Sequence, residues 1–185
     1  LMAGLSMAMG IGYGVSLICS LASMAIVWFV IPRTANSEKG LLAVFAFTGL
    51  LGFGLGPILN HYLNTVNGPM IVTQALAGTA IIFFALSAYV MTTKKDFSFL
   101  AGFLMVGMIV ILVAAIANIF LAIPLMSLVI SAAVVFIMSG FILFETSQII
   151  HGGQRNYILA TVSLYLSIYN IFVSLLQILG IMGDD

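Results

Sequence analysis

The sequence predicts an all-α membrane protein, a seven-transmembrane helical bundle, and three observations carry that prediction. Hydrophobic residues make up 63% of the chain and charged residues 5%, whereas soluble domains carry roughly a quarter charged residues. The apolar residues form continuous runs that can cross about 30 Å of hydrocarbon, not the alternating pattern of a β-barrel strand. Between the runs lie short stretches that hold turn-forming residues and almost every charge.

Taken in order, residues 1–11 are apolar but too short to span, since a membrane helix needs about 20 residues. No basic region precedes them, as a signal peptide would require. They are expected to be the end of a truncated first helix. Six full spans are expected after them, at residues 14–31, 41–59, 70–91, 97–117, 125–148 and 157–181. The breaks fall at Gly12-Tyr13-Gly14, Pro32 with Asn36-Ser37, Asn67-Gly68-Pro69, Lys94-Lys95-Asp96, Pro124 and Gly152-Gly153, residues that end helices or favour turns. Residues 1–185 then form a single polytopic membrane domain.

Small residues mark expected helix contacts. Gly52 and Gly56, with Gly49 before and Pro57 after, make one small-xxx-small pair, and Gly10 with Gly14 makes another. In lipid, close backbone approach at such pairs supplies van der Waals contact. Pro57 is expected to kink or end its helix. Cys19 is the single cysteine; it excludes an intrachain disulfide and reads as a small packing residue in an apolar run.

Basic residues set the orientation. Arg33 and Lys39 follow the second helix, Lys94 and Lys95 the fourth, and Arg155 the sixth, while the other loops carry neither Lys nor Arg. The positive-inside rule makes that side cytoplasmic. The N-terminal side is then cytoplasmic, and Asp184-Asp185 fall on the outer side.

Glu145 is the one ionisable side chain inside an apolar run, residues 131–148. A carboxylate at membrane depth costs several kcal/mol unless it is neutral, paired or wetted, so it marks a candidate functional site. Snorkelling to the interface is the other reading. Ser163, Ser167, Asn170, Ser174 and Gln177 recur at spacings of four and three on the last helix, which puts them on one face. Facing lipid they would lack partners, so this polar stripe should look into the bundle or a wet cavity. Hydrogen bonds between helices, about 0.6 kcal/mol each, and a water-lined path are both open readings. The short turn at Gly152-Gly153 makes the last two helices neighbours and brings the stripe toward Glu145. Burial would favour the protonated form of such an acid and a nearby Arg33 or Arg155 the anion, and both remain open.

Several chemistries are excluded. Zero net charge leaves no basic patch for nucleic acid. There is no H-E-x-x-H, and His61 and His151 fall on opposite sides of the expected topology, so no metal is expected. Asp96, Asp184 and Asp185 lie outside the spans, so there is no intramembrane aspartyl pair. Ser139 has no histidine at its depth, and no lysine lies within a helix to form a retinal Schiff base. No cofactor is expected, and the chain does not read as an enzyme.

Three stretches carry a resemblance. FETSQIIHGGQRNYILATVSLYLSIYNIFVSLLQILG at 144–180, FAFTGLLGFGLGPILNHY at 45–62 and TTKKDFSFL at 92–100 resemble the Bax inhibitor 1 (transmembrane Bax-inhibitor-motif) family, and the likeness covers essentially the whole chain. The resemblance implies a fold in which the last helix is central, enclosed by the other six. It also implies pH-sensitive calcium-leak relatives in which two acids, one on each of the last two helices, share a proton. Glu145 matches the first acid, while Ser167 stands in LYLS where leak members read LYLD. Arg33 loosely matches a basic residue implicated in closing the path. With one acid gone, the like-charge coupling is lost and a two-carboxyl switch is not expected. A calcium site with one carboxylate would be weak, since that ion takes six to eight oxygens. The bacterial relatives imply a different role in the inner membrane. They associate with FtsH, a membrane-anchored ATP-dependent protease, and limit degradation of membrane proteins, with a cytoplasmic N-terminal tail as the handle the protease pulls. Modulation of FtsH is the expected function, and a cation leak governed by Glu145 is the alternative.

Overall fold

Six helices long and apolar enough to cross a membrane dominate the computed structural model, which describes residues 1–183. They are Tyr13–Thr34, Lys39–Leu63, Gly68–Thr93, Leu100–Leu121, Pro124–Ile150 and Tyr157–Gly183. A short helix, α1 (Met2–Ala8), precedes them. The Asp184-Asp185 tail lies outside the described residues. Side chains such as Trp28, Phe99, Ile119 and Phe120 stand exposed, as expected of surfaces that meet lipid rather than water.

The chain divides into two compact units, residues 1–69 with 156–162, and residues 70–155 with 163 onward. In the first unit, the Tyr13–Thr34 span is composite: α2 (Tyr13–Ala25), a π-helical turn (Ile26–Val30) and α3 (Ile31–Thr34). Pro32 has no N–H for the carbonyl of Trp28 and its ring crowds that turn, which widens the helix locally. Side chains take up neighbouring carbonyls: Arg33 Nη1 donates to Phe29 O at 2.7 Å and Thr34 Oγ1 to Val30 O at 2.8 Å.

Pro57 acts in the same way on the next span, which breaks at Leu55 into α4 (Lys39–Gly54) and α5 (Gly56–Leu63). The glycines before it pack as their spacing predicts. A Cβ on Gly52 would sit 3.4 Å from Met2 Cβ, and one on Gly56 would collide with the Ser6 side chain and stand 3.1 Å from Ala3 O. The Ser16 hydroxyl donates to the Gly54 carbonyl, tying α2 to α4. The second glycine pair behaves differently, because neither Gly10 nor Gly14 has an atom within 4 Å of a built Cβ. Gly10 instead supplies the turn after α1 with φ +63, a conformation that favours glycine.

The second unit is built from α6 (Gly68–Thr93), α7 (Leu100–Leu121), α8 (Pro124–Ile150) and residues 163–183 of α9 (Tyr157–Gly183). Buried Met138, Ile142 and Ile171 form its centre, with Phe83, Met108 and Leu175 packed against them. α7 and α8 approach closely where they carry glycine: Gly107 lies against Ile137 and Gly140 against Leu104. Their turn is stapled by Asn118, whose Nδ2 donates to Ser127 Oγ at 2.7 Å and whose Oδ1 accepts from Ile123 N–H at 3.2 Å.

Candidate functional site

Glu145 sits on α8 about one turn before its end, half-buried, and α9 places buried Ser167 beside it. Ser167 Oγ donates to Glu145 Oε2 at 3.3 Å. A second pair ties the same helices at their opposite ends, where Ser131 Oγ donates to Gln177 Oε1 at 2.8 Å. Between the two pairs lies the apolar layer of Met138, Ile142 and Ile171, of which Ile142 and Ile171 are fully buried. Ser131 and Glu145 are fourteen residues apart on α8, or about 21 Å along its axis. The polar stripe therefore meets α8 at two separated points.

The other stripe residues complete the picture. Asn170 Nδ2 donates to Leu166 O at 2.8 Å within its own helix, and Ser174 is buried. Ser163 lies half-buried one turn before Ser167. Arg33 is exposed, belongs to the first unit, and bonds the Phe29 carbonyl of its own helix. Gln148, on the same face of α8 as Glu145, donates from Nε2 to Ser98 Oγ at 2.8 Å.

The spacing of charges did not reveal a polar network at the loop end of α8. Ser147 Oγ accepts from Phe97 N–H at 3.0 Å and donates to Lys95 O at 3.4 Å. His151 places Nδ1 2.9 Å from Ser147 O and Nε2 3.1 Å from Lys94 O. Asp96 Oδ1 accepts from Ser98 Oγ at 2.5 Å and from Ser98 N–H at 2.8 Å. These bonds, the hydroxyl's above all, hold the Asp96 carboxyl below its ordinary value, and the charge of His151 adds to the effect. The signal available in the sequence was the recurrence of short polar residues at both ends of the loop, Asp96 and Ser98 against Ser147, Gln148 and His151.

Chemically, a lone carboxyl with a hydroxyl donor can hold or exchange a proton, but it offers few of the oxygens that a calcium ion needs. No cluster of three or more His, Cys, Asp or Glu side chains that could hold a metal occurs among the described residues. Buried Cys19 lines an apolar cavity of about 360 Å³ with Met2, Phe45, Gly49, Leu50 and Phe53.

Helices of this length and apolarity, with a half-buried acid set between two of them, define a multi-pass helical membrane protein. Residues 1–184 match the family described as inhibitor of apoptosis-promoting Bax1. It is 56% identical over 169 residues to a protein of Escherichia coli K12 named modulator of FtsH protease YccA, covering 91% of this chain and 77% of that protein. A protein of another E. coli strain with the same identity and coverage is named inner membrane protein YccA. An uncharacterized membrane protein of Vibrio cholerae is 49% identical over 180 residues, 97% of this chain and 81% of that one. The chain belongs to the Bax inhibitor 1 family.

Proposed function

We propose that this chain is a regulatory protein of the bacterial inner membrane that modulates FtsH and limits proteolysis of membrane proteins, without being an enzyme itself. The observation that carries this reading is the 56% identity, over 91% of the chain, to a relative named as a modulator of that protease. The seven-helix arrangement belongs to the same reading, as does the topology that puts Arg33, Lys39, Lys94, Lys95, Arg155 and the N-terminal side in the cytoplasm. A bundle whose helices are tied by Ser131–Gln177, Ser167–Glu145 and Ser16–Gly54 resists extraction, which supports the role of a slow, competing client. The test is co-purification of the full-length protein with FtsH, together with the turnover of a reporter membrane substrate in cells with and without it. Association and slower turnover support the reading, and failure of both removes it.

The Glu145–Ser167 contact supports a second reading, a pH-sensitive calcium or cation leak with Glu145, Ser167 and Arg33 as its sensing residues. It is the weaker one, because a single carboxylate faces a hydroxyl rather than a second acid. Calcium flux through proteoliposomes separates the two. Flux above empty vesicles that Glu145→Gln abolishes would select the leak.

A further inference from the structure

Among the residues that fasten the α6–α7 loop to the end of α8, His151 faces two acceptors at once. Both ring nitrogens of His151 face carbonyl oxygens, Nδ1 that of Ser147 at 2.9 Å and Nε2 that of Lys94 at 3.1 Å. A carbonyl only accepts, and neutral imidazole donates from one nitrogen only, so the imidazolium alone satisfies both.

The neutral ring has two forms, and each loses one tie to the loop. With the proton on Nδ1, the Nε2 lone pair faces the Lys94 carbonyl and that contact fails. With the proton on Nε2, the Nδ1 lone pair turns to the one other donor beside it, the Ser147 hydroxyl 3.4 Å away. That hydroxyl has a single proton, and the Lys95 carbonyl then loses it. With the bond from Gln148 Nε2 to Ser98 Oγ included, the loop is thus held by four ties when His151 is charged and by three when it is not. The segment so held contains Lys94 in a left-handed conformation, φ +51, which a non-glycine residue keeps only when its surroundings enforce it.

We propose that His151 is a proton-dependent latch that fastens the 94–98 loop to α8 in acid and loosens it in alkali. The ring is exposed, so it exchanges protons with the adjoining aqueous phase. Asp96 supplies the opposite charge from the loop and stays ionised through its Ser98 bonds. The like charges nearby are Lys94 and Lys95 on the loop and Arg155 past the turn, whose Nε bonds the Gly152 carbonyl at 3.4 Å. This latch stands apart from the Glu145–Ser167 contact and does not depend on the reading of the chain as an FtsH modulator.

Amide hydrogen exchange on the full-length protein in nanodiscs tests it, at about pH 5.5 and about pH 8 with intrinsic rates divided out. Phe97 N–H is expected to lose protection by about three-fold or more on the alkaline side, and His151→Gln is expected to remove that difference. Equal protection at both pH values, or the same loss in His151→Gln, overturns the proposal. A second readout does not depend on the variant's folding. The chain has two histidines, so nitrogen-15 spectra of His61→Gln report the His151 ring alone. Both ring nitrogens protonated and slow to exchange in acid is the expected result, and a freely exchanging ring overturns it.

Discussion

Asn156 ties the turn before α9 to the end of α3. Its Oδ1 accepts from Ile158 N–H at 3.0 Å and Leu159 N–H at 3.2 Å, the N-cap arrangement, while its Nδ2 donates to Ala35 O at 3.0 Å and Asn36 Oδ1 at 2.8 Å. Asn156→Ala should therefore cost about 1–2 kcal/mol through the lost cap, read as a lowered thermal midpoint in detergent. Asp96 makes the second residue-scale prediction. Its carboxyl is held below the ordinary value of 3.8. A carboxyl depressed in this way favours the folded turn above that value, and the contribution is lost as pH falls through the depressed one. Ser98→Ala removes the hydroxyl and should move the titration, followed by carbon-13 shifts of the carboxyl, back up toward 3.8. Glu145 and the polar face of α9 were legible in the sequence because charge and helical spacing are properties of single residues. Ser131 as the partner of Gln177, and Ser147 as the partner of Phe97, were not, since each pair is 46 or more residues apart and depends on the register of neighbouring helices.

At the scale of elements, close approach decides what can change. A Cβ at Gly40 would run into the Thr34 backbone and the tip of Ile158, and backbone cannot move aside as a side chain can. Gly40→Ala should destabilise by about 1–3 kcal/mol through overpacking, measured by chemical unfolding. Gly102 and Gly14 have open space around a built Cβ, and alanine at either should be neutral or slightly stabilising by propensity. Pro32 and Pro57 announced their breaks in the sequence, because a missing N–H disrupts a helix in any context. The uselessness of Gly10–Gly14 as a packing pair was hidden, for a small residue signals contact only where another helix comes near.

Among the described residues the molecule is apolar outside as well as in; many hydroxyls bond a carbonyl of their own helix, and a few, at Ser16, Ser131 and Ser167, tie one helix to another. Met138, Ile142 and Ile171 form an apolar layer between Glu145–Ser167 and Ser131–Gln177, and the polar Ser139 and Asn170 at the same depth are bonded within their own helices. Reconstituted protein should accordingly pass calcium no faster than empty liposomes from about pH 5.5 to about pH 8. The spans themselves were legible, since a membrane imposes one length on every crossing. The division into two units was not, because it depends on which runs touch. α9 contributes residues 157–162 to one unit and its remainder, from residue 163, to the other. Neither unit is complete without its share of that rod, so melting should proceed in one cooperative step. Unwinding α9 would then strip packing from both units together.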